Sequence, residues 1–148
     1  LNYICMEEIE IFTDGACRGN PGLGGWGALI RRDGEESSLW GGQRDTTNNR
    51  MEMEAAIKGL ESIIESSNIT ITTDSNYLKD GITQWLEGWK KKGWKTAAKK
   101  PVKNQDLWKR LDELSQFHNV NWKWVKGHSG HRENEIADLL ANKGIDEL

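Results

Sequence analysis

The first patterned stretch of the chain, residues 8–14, alternates residue by residue between two faces. One face carries Glu8, Glu10, Phe12 and Asp14, and the other carries Ile9, Ile11 and Thr13. A period of two predicts a half-buried β-strand, and we expect it to end at Asp14. The glycine-rich stretch that follows has the composition of turns and leads into a second predicted strand over residues 26–30. A turn signal then leads to a third strand over residues 37–44. The first third of the chain therefore predicts an antiparallel meander.

A helix is predicted after the meander. The polar residues 46–49 are suited to a helix start, and Asn49 and Glu52 have the spacing of a capping box. Apolar residues then recur at helical spacing and form one predicted stripe, which consists of Met53, Ile57, Leu60 and Ile64. This helix is expected to cover one face of the meander.

The second half of the chain alternates between strands and helices. The β-branched residues 69–73 predict a strand that ends on Asp74, before a short helix from Ser75. Two longer helices, over residues 104–117 and 132–143, flank a further strand over residues 121–125. Their predicted apolar stripes are Leu107, Trp108, Leu111 and Leu114 in the first and Ile136, Leu139 and Leu140 in the second. The pattern predicts an α/β domain with a five-stranded mixed sheet and helices on both faces.

Length and composition indicate one domain over residues 1–148, with residues 1–6 as a possible N-terminal appendage. The mean hydropathy of −0.74 and the lack of a long apolar run exclude a membrane span, so we expect a cytoplasmic protein. Cys5 and Cys17 have neither the spacing of a zinc site nor the density of a disulfide scaffold. We expect reduced thiols, and the sequence leaves open whether the two approach each other.

Charge is distributed unevenly along the chain. The net charge is −3, yet residues 85–103 contain seven lysines and only Glu87 as an acid. Such a segment attracts a phosphate backbone, and the tryptophans between the lysines can pack on sugars or bases. Trp85 and Trp89 have the alternative role of facing the core, and the sequence does not decide between the two.

Four acids are candidates for one cluster. Asp14 and Asp74 each end a β-branched strand, and such ends meet at one edge of a sheet, while Glu52 and Asp138 lie on helices. Taken singly, each acid also has an ordinary interpretation as a turn residue, a helix cap or a surface charge. Carboxylates about 4 Å apart repel by roughly 1 kcal/mol in water and more when buried, so a cluster needs protons or hard cations. Oxygen ligands favour Mg²⁺ or Mn²⁺, and a polyanion beside them points to metal-assisted phosphodiester chemistry.

The motifs that carry these residues resemble those of type 1 ribonuclease H, in its bacterial single-domain form, over nearly the whole chain. They are Phe-Thr-Asp-Gly at 12–15, Gly-Asn-Pro-Gly at 19–22, Thr-Thr-Asn-Asn-Arg-Met-Glu at 46–52, Thr-Asp-Ser at 73–75, Gly-Ile-Thr-Gln-Trp at 81–85, Trp-Lys-Lys-Lys-Gly-Trp-Lys-Thr at 89–96, Lys-Pro-Val-Lys-Asn at 100–104, Asp-Leu-Trp at 106–108, Trp-Val-Lys-Gly-His at 124–128 and Glu-Asn-Glu-Ile-Ala-Asp at 133–138. The resemblance implies the ribonuclease H-like fold.

The resemblance also implies an activity, which is endonucleolytic cleavage of RNA in RNA–DNA hybrids to give 5′-phosphate and 3′-hydroxyl ends. Asp14, Glu52, Asp74 and Asp138 would hold two Mg²⁺ ions, with Mn²⁺ as a substitute, around the scissile phosphate. His128 matches the family's histidine for proton transfer or product release, although its chemistry alone also suits a surface loop. His118 and His131 match no catalytic position and are expected to be structural or solvated.

Substrate contacts follow from the same resemblance. Four asparagines are implied at the minor groove: Asn20, Asn48, Asn49 and Asn76. Thr47 and Asn20 are implied to bind a phosphate of the DNA strand. The basic segment is implied to lie along the DNA strand, with contacts from Trp85, Trp89, Lys90, Lys91 and Trp94. The sequence departs from the family at Asn76, where glutamine is common, and at Arg132, where proline is common. The first departure puts that contact in doubt, and the second is expected to alter the loop before the last helix.

Three other functions compete with this one. A non-catalytic hybrid-binding module would not need four acids and a loop histidine. An integrase or junction resolvase of the same superfamily would share the acids but not the basic tryptophan segment. A phosphotransferase of the actin-like ATPase fold needs a second lobe, for which 148 residues leave no room. We therefore expect a monomeric nuclease whose partner is an RNA–DNA hybrid.

Overall fold

The computed structural model of the protein describes residues 8–127 and 131–148. The strands are β1 (Ile9–Arg18), β2 (Gly22–Arg32), β3 (Glu35–Thr46), β4 (Asn68–Thr73) and β5 (Asn119–Trp124). The helices are α1 (Asn48–Glu61), α2 (Asn76–Asp80), α3 (Leu86–Lys91), α4 (Gln105–Phe117) and α5 (Arg132–Asp146), with a π-helical turn at Gly81–Trp85 between α2 and α3. None of these helices combines the length and apolar character needed to cross a membrane.

The five strands form one sheet in the order β3-β2-β1-β4-β5. The first three strands pair antiparallel, whereas β1, β4 and β5 run parallel. Crossovers that contain helices join the parallel strands, as parallel pairing requires. The predicted mixed five-stranded sheet is confirmed.

The prediction that β1 ends at Asp14 is wrong, because the strand continues to Arg18 in a long hairpin with β2. The parallel pairing with β4 ends earlier, at Phe12 opposite Thr72. Asp14 therefore lies within a strand but beyond the edge of the parallel half. Alternation alone did not detect the extension because glycines fill much of the hairpin.

Helix α1 differs from its prediction at both ends. Its N-cap is Thr47, whose Oγ1 accepts a hydrogen bond from the Arg50 amide at 3.3 Å, so the predicted capping box of Asn49 and Glu52 is wrong. Met53, Ile57 and Leu60 are buried as predicted. Ile64 lies beyond the helix and is 86% exposed, while its neighbour Ile63 is buried instead.

Helices cover both faces of the sheet, as predicted. Gly59 of α1 lies against Ile11, whereas α5 lies on the opposite face, where Gly25 and Gly27 allow its backbone to approach. A Cβ atom on Gly27 would lie 2.5 Å from the Ala137 carbonyl oxygen. The face of α5 that packs on the sheet consists of Ala137, Leu140, Ala141 and Ile145. Leu139 was predicted in that stripe but is 68% exposed, because the small residues take the contact.

The main core lies between the α1 face of the sheet and helix α4. All four predicted core residues of α4 are buried, and Trp108 is completely inaccessible. Gly81 in the π-helical turn touches the Trp108 ring so closely that any larger residue would displace it. The tryptophan thus fixes the approach of the α2–α3 region to the core.

Gly27 offers a test of the α5 packing. Gly27→Ala should lower the free energy of unfolding by about 1–3 kcal/mol, because the new methyl group meets the α5 backbone. Gly88→Ala is the matched control, since nothing lies within 4 Å of its added methyl group, and it should raise stability by about 0.5–1 kcal/mol through helix propensity. Urea unfolding of both variants measures the difference. Equal effects in the two variants would contradict the packing described.

Candidate active site

Three carboxylates converge at the edge of the parallel half of the sheet. One oxygen each of Asp14, Glu52 and Asp74 lies within 4.8 Å of the others. Asp14 is 2% exposed and Glu52 is 7% exposed, so two of the three are withdrawn from solvent. Asp138 of α5 lies beside Asp14, within reach of a hydrogen bond when one of the two carboxyls carries a proton. The structure thus brings together all four acids selected from the sequence.

Each acid comes from a different element. Asp14 lies on β1 just past the last β4 pair, and Asp74 follows the end of β4 directly. Glu52 reaches the cluster because α1 packs tightly on Gly15, where a Cβ atom would lie 2.5 Å from the Glu52 amide nitrogen. Asp138 approaches from the other face of the sheet, where α5 packs on Gly27 opposite Asp14.

The turn after Asp74 is held by local hydrogen bonds. The Ser75 amide donates to Thr73 Oγ1 at 3.2 Å, and Ser75 Oγ accepts from the Leu78 amide at 3.1 Å as the N-cap of α2. Ser75, not Asp74, therefore caps the short helix. This leaves the Asp74 carboxylate to the cluster, where the sequence had also allowed a capping role.

Burial and mutual repulsion make the cluster a poor place for bare negative charge. The pKa of Asp14 is raised to about 8, first by burial, then by its hydrogen bond to Asp138 and by the charges of Asp74 and Asp138. The pKa of Glu52 is raised well above its ordinary value, again first by burial and then by Asp14 and Asp74. Hydrogen bonding to the Gly15 backbone opposes both shifts. At neutral pH the cluster must therefore hold protons or cations.

The donor set fits a hard divalent cation. All its ligand atoms are carboxylate oxygens, which Mg²⁺ and Mn²⁺ prefer over softer nitrogen and sulfur donors. Glu52 Oε1 is buried and accepts no hydrogen bond from any residue in ranges 8–127 and 131–148. A buried oxygen without a donor is costly unless a proton or a cation occupies its lone pair. The residues present are those that a metal site requires.

The three histidines differ in what can be said of them. His128 lies outside the described residues. His118 is 3% exposed, accepts the Ser67 amide at Nδ1 and lies 3.2 Å from the Leu60 carbonyl through Nε2, so it is structural as expected. His131 is exposed and precedes α5.

Most of the predicted minor-groove residues lie at the N-terminus of α1, whereas Asn76 begins α2. Asn20 Oδ1 accepts the Asn48 amide at 3.1 Å and so joins the β1–β2 turn to the first turn of the helix. Thr47 is occupied as the N-cap, whereas Asn49 and Asn76 are exposed and make no hydrogen bond through their side chains to any described residue. These two amides are available for a ligand.

A polar connection from α1 to α4 was not detected from the sequence. Arg50 donates to Asn104 at 3.1 Å and pairs with Asp106 at 2.8 Å, and Asn104 in turn donates to the Tyr77 hydroxyl at 3.1 Å. The Tyr77 hydroxyl also accepts from Trp108 Nε1 at 3.3 Å. Residues so far apart in the chain give no local sequence signal that they are in contact. Arg50 and Asn104 lie in family motifs, but the motifs did not predict that the two bond to each other.

The basic segment, residues 85–103, combines both roles considered for its tryptophans. Trp89 is half-buried, with its ring centroid 5.6 Å from that of Trp108, whereas Trp85 is 36% exposed. Both line an apolar groove with Tyr77 and Val102. Trp94 is half-buried against the core with a positive φ of 65°.

The two predicted lysine contacts differ in their surroundings. Lys90 pairs with Asp112 of α4 at 3.1 Å and is therefore partly neutralised. Lys91 is exposed, and no ion pair within the described residues involves it. The groove and Lys91 are thus open to solvent, while Trp89 and Lys90 anchor the segment to the domain.

Arg132 ties the start of α5 to the sheet. Its guanidinium donates to both oxygens of Glu36 on β3, at 2.8 and 2.9 Å. Arg31 on β2 shares Glu36 and also pairs with Glu133 of α5. Arg132, followed by Arg31, lowers the pKa of Glu36 to about 2. The departure from proline thus adds an ion-pair anchor before Asp138.

Comparisons with known proteins agree with this geometry. The RNase H family model matches residues 6–146. Ribonuclease H from Hydrogenovibrio crunogenus is 64% identical over 143 residues, which are 97% of this chain and 99% of the relative.

Solved structures share the fold. The crystal structure of LC9-RNase H1, a type 1 RNase H with the type 2 active-site motif, is 31% identical with a TM-score of 0.86, over 99% of this chain and 75% of that one. LC11-RNase H1, solved in complex with an RNA/DNA hybrid, is 23% identical with a TM-score of 0.68, over 94% of this chain and 97% of that one. The chain belongs to the RNase H family, as its motifs indicated.

Proposed function

We propose that the protein is an endoribonuclease that hydrolyses the RNA strand of RNA–DNA hybrids and leaves 5′-phosphate and 3′-hydroxyl ends. The observation that carries this proposal is the convergence of Asp14, Glu52 and Asp74 within 4.8 Å, with Asp138 bonded to Asp14, in a member of the RNase H family. Four acids at one point do not favour folding by themselves, since burial and mutual repulsion raise the pKa of Asp14 and Glu52.

The cofactor in this proposal is Mg²⁺, bound as two ions in the substrate complex, with Mn²⁺ as a substitute. Bound divalent cations supply an activated water and stabilise the charge on the departing oxygen. Asp14 and Glu52 provide buried carboxylates, and Asp74 after β4 and Asp138 on α5 complete the set. His128 is assigned to proton transfer or product release.

Selection of the hybrid is assigned to the amides and the basic segment. Asn20, Asn48, Asn49 and Asn76 exchange hydrogen bonds with 2′-hydroxyls and base edges, which distinguish RNA from DNA. Thr47 grips a phosphate of the DNA strand together with Asn20. The tryptophan groove and the lysines of the basic segment follow the DNA backbone, the assigned contacts there being Trp85, Trp89, Lys90, Lys91 and Trp94.

A non-catalytic hybrid-binding module remains the second candidate, but the acids disfavour it. Four carboxylates beside a polyanion weaken binding, so a pure binding module would gain from their loss. We further propose that the chain acts as a single domain, monomeric and cytoplasmic. The support is the single sheet with one continuous main core and the thiol of Cys17, which is bridged to no residue in ranges 8–127 and 131–148.

A cleavage assay tests the activity. A labelled RNA–DNA hybrid should be cut in Mg²⁺, with products that carry 5′-phosphate, whereas duplex DNA and duplex RNA should remain intact. EDTA should abolish the reaction because the cluster then lacks its cations. Equal cutting of the three duplexes, or cutting in EDTA, would overturn the proposal.

Asp14→Asn tests the cluster. The variant should lose about 10²–10⁴-fold in turnover, since metal ions at such sites contribute several kcal/mol to catalysis. Asp33→Asn is the matched control, because Asp33 is an exposed turn residue on the β2–β3 hairpin with a positive φ that asparagine tolerates. Circular dichroism should show both variants folded. An active Asp14→Asn enzyme would remove Asp14 from the metal site.

The raised pKa of Asp14 predicts how stability depends on pH without metal. The folded state holds this proton more tightly than the unfolded chain, so its contribution to stability is complete below pH 3.8 and is lost as pH rises to about 8. Melting temperatures in EDTA should therefore fall between pH 5 and pH 8, and Mg²⁺ should restore them at pH 8.

The same melts of Asp14→Asn give the control for this effect, because asparagine does not titrate. The variant should show a flatter pH dependence and a smaller response to Mg²⁺. An identical slope in variant and wild type would assign the effect to other groups.

A further inference from the structure

Arg18 is an exposed cation on the same strand as Asp14. It is the last residue of β1, four positions after Asp14, so both side chains leave the same face of the strand. Its guanidinium lies 2.7 Å from Asp146 Oδ1 and 3.4 Å from Asn142 Oδ1, both on α5. The side chains of Arg18 and Asp146 are 51% and 63% exposed. The pair therefore lies at the surface.

Strand β1 and helix α5 run alongside each other from the acid cluster to this pair. Asp14 contacts Asp138 at one end, and Arg18 contacts Asp146 at the other. Four strand residues span roughly 13 Å, and eight helical residues span roughly 12 Å. From these lengths, the backbone at Arg18 lies roughly 12–13 Å along β1 from the backbone at Asp14.

Arg18 lies on the side of the cluster away from the basic segment. That segment is anchored on α4, which packs with α1 on the other face of the sheet, whereas Arg18 contacts α5. Two residues after Arg18, Asn20 bonds the first turn of α1. Arg18 therefore borders the proposed substrate surface where no motif had placed a contact.

The surroundings of Arg18 favour exchange of its partner. An exposed ion pair contributes little to stability, since solvent screens it and two long side chains must be ordered. A phosphate offers a guanidinium two oxygens in a bidentate arrangement, which is stronger than a single contact to one carboxylate oxygen. A polyanion that leaves the acid cluster along β1 and α5 passes Arg18.

We propose that Arg18 binds a phosphate of the RNA strand about two to four nucleotides from the scissile phosphate, and that the phosphate replaces Asp146 as its partner. The RNA strand is the one expected, because Arg18 continues the face of β1 that carries Asp14. This inference rests on the proposed function and adds a substrate-binding residue to it.

Substitution of Arg18 tests the contact. Arg18→Ala should raise KM for a hybrid several-fold, with a smaller change in kcat, because the residue is remote from the reacting atoms. The slope of log KM against log salt concentration should fall in magnitude by about 1, as expected for one lost phosphate contact. Arg18→Lys should retain most of that slope, since the charge remains. An unchanged slope in Arg18→Ala overturns the proposal.

Asp146→Asn separates substrate binding from a structural role of the ion pair. Both Asp146→Asn and Arg18→Ala break the pair, so a structural role predicts the same effect on KM and melting temperature. Phosphate binding predicts opposite effects, because Asp146→Asn frees Arg18 and should lower KM. The double variant corrects for the lost charge of Asp146 itself. If Asp146→Asn lowers KM equally with and without Arg18, the exchange of partners is wrong.

Neutral methylphosphonates at single positions identify the strand. A methylphosphonate at one RNA position should weaken hybrid binding by the wild-type protein but not by the Arg18→Ala variant. This position should lie within four nucleotides of the cut. Coupling on the DNA strand, or at no position, would overturn the assignment. These outcomes are read only in a wild-type protein that cleaves hybrid, so failure of the proposed function is seen first and separately.

Discussion

The constraint on which the site depends is the confinement of like charges. Asp14 and Glu52 are buried almost completely, and the charges of Asp74 and Asp138 raise the pKa of both. The fold tolerates this arrangement because the strand and helix backbones, not the carboxylates, hold the elements together. Repulsion that would otherwise separate the acids is opposed by packing at Gly15 and Gly27, where helices approach β1 and β2 too closely for any side chain. In the proposed mechanism, cation binding converts this unfavourable cluster into a favourable one.

Much of the fold was accessible from the sequence because its signals are local. Alternation, β-branching and turn signals together located all five strands, and apolar periodicity located the long helices, with the core face of α4 predicted residue by residue. Errors arose where a neighbour decides the outcome. Ile64 and Leu139 continue apolar stripes, yet one lies past a helix end and the other is displaced by small residues that pack closely on sheet glycines. The β1–β2 hairpin extended further than its glycines suggested.

The candidate site was predicted to a similar depth. The sequence placed Asp74 correctly after a strand and Glu52 and Asp138 on helices, but Asp14 lies past the last parallel pair within a longer strand; the family motifs identified the four acids. The links from Arg50 to Asn104 and Tyr77 and from Arg132 to Glu36 were not predictable, since each joins residues tens of positions apart without a repeating pattern. The division of the basic segment into an exposed Trp85 and an anchored Trp89 likewise depends on Trp108, which approaches from another helix.

The hydrogen bond between Asn20 and Asn48 has a mechanical consequence. Asn48 is the first residue of α1, and Glu52 follows it by about one turn of the same helix. In the proposed complex, a duplex that contacts the β1–β2 turn is therefore connected through this hydrogen bond to the helix that carries Glu52. A residue assigned to the proposed ligand and an acid of the cluster thus belong to one helix, so a shift of the β1–β2 turn and a shift of Glu52 are mechanically linked.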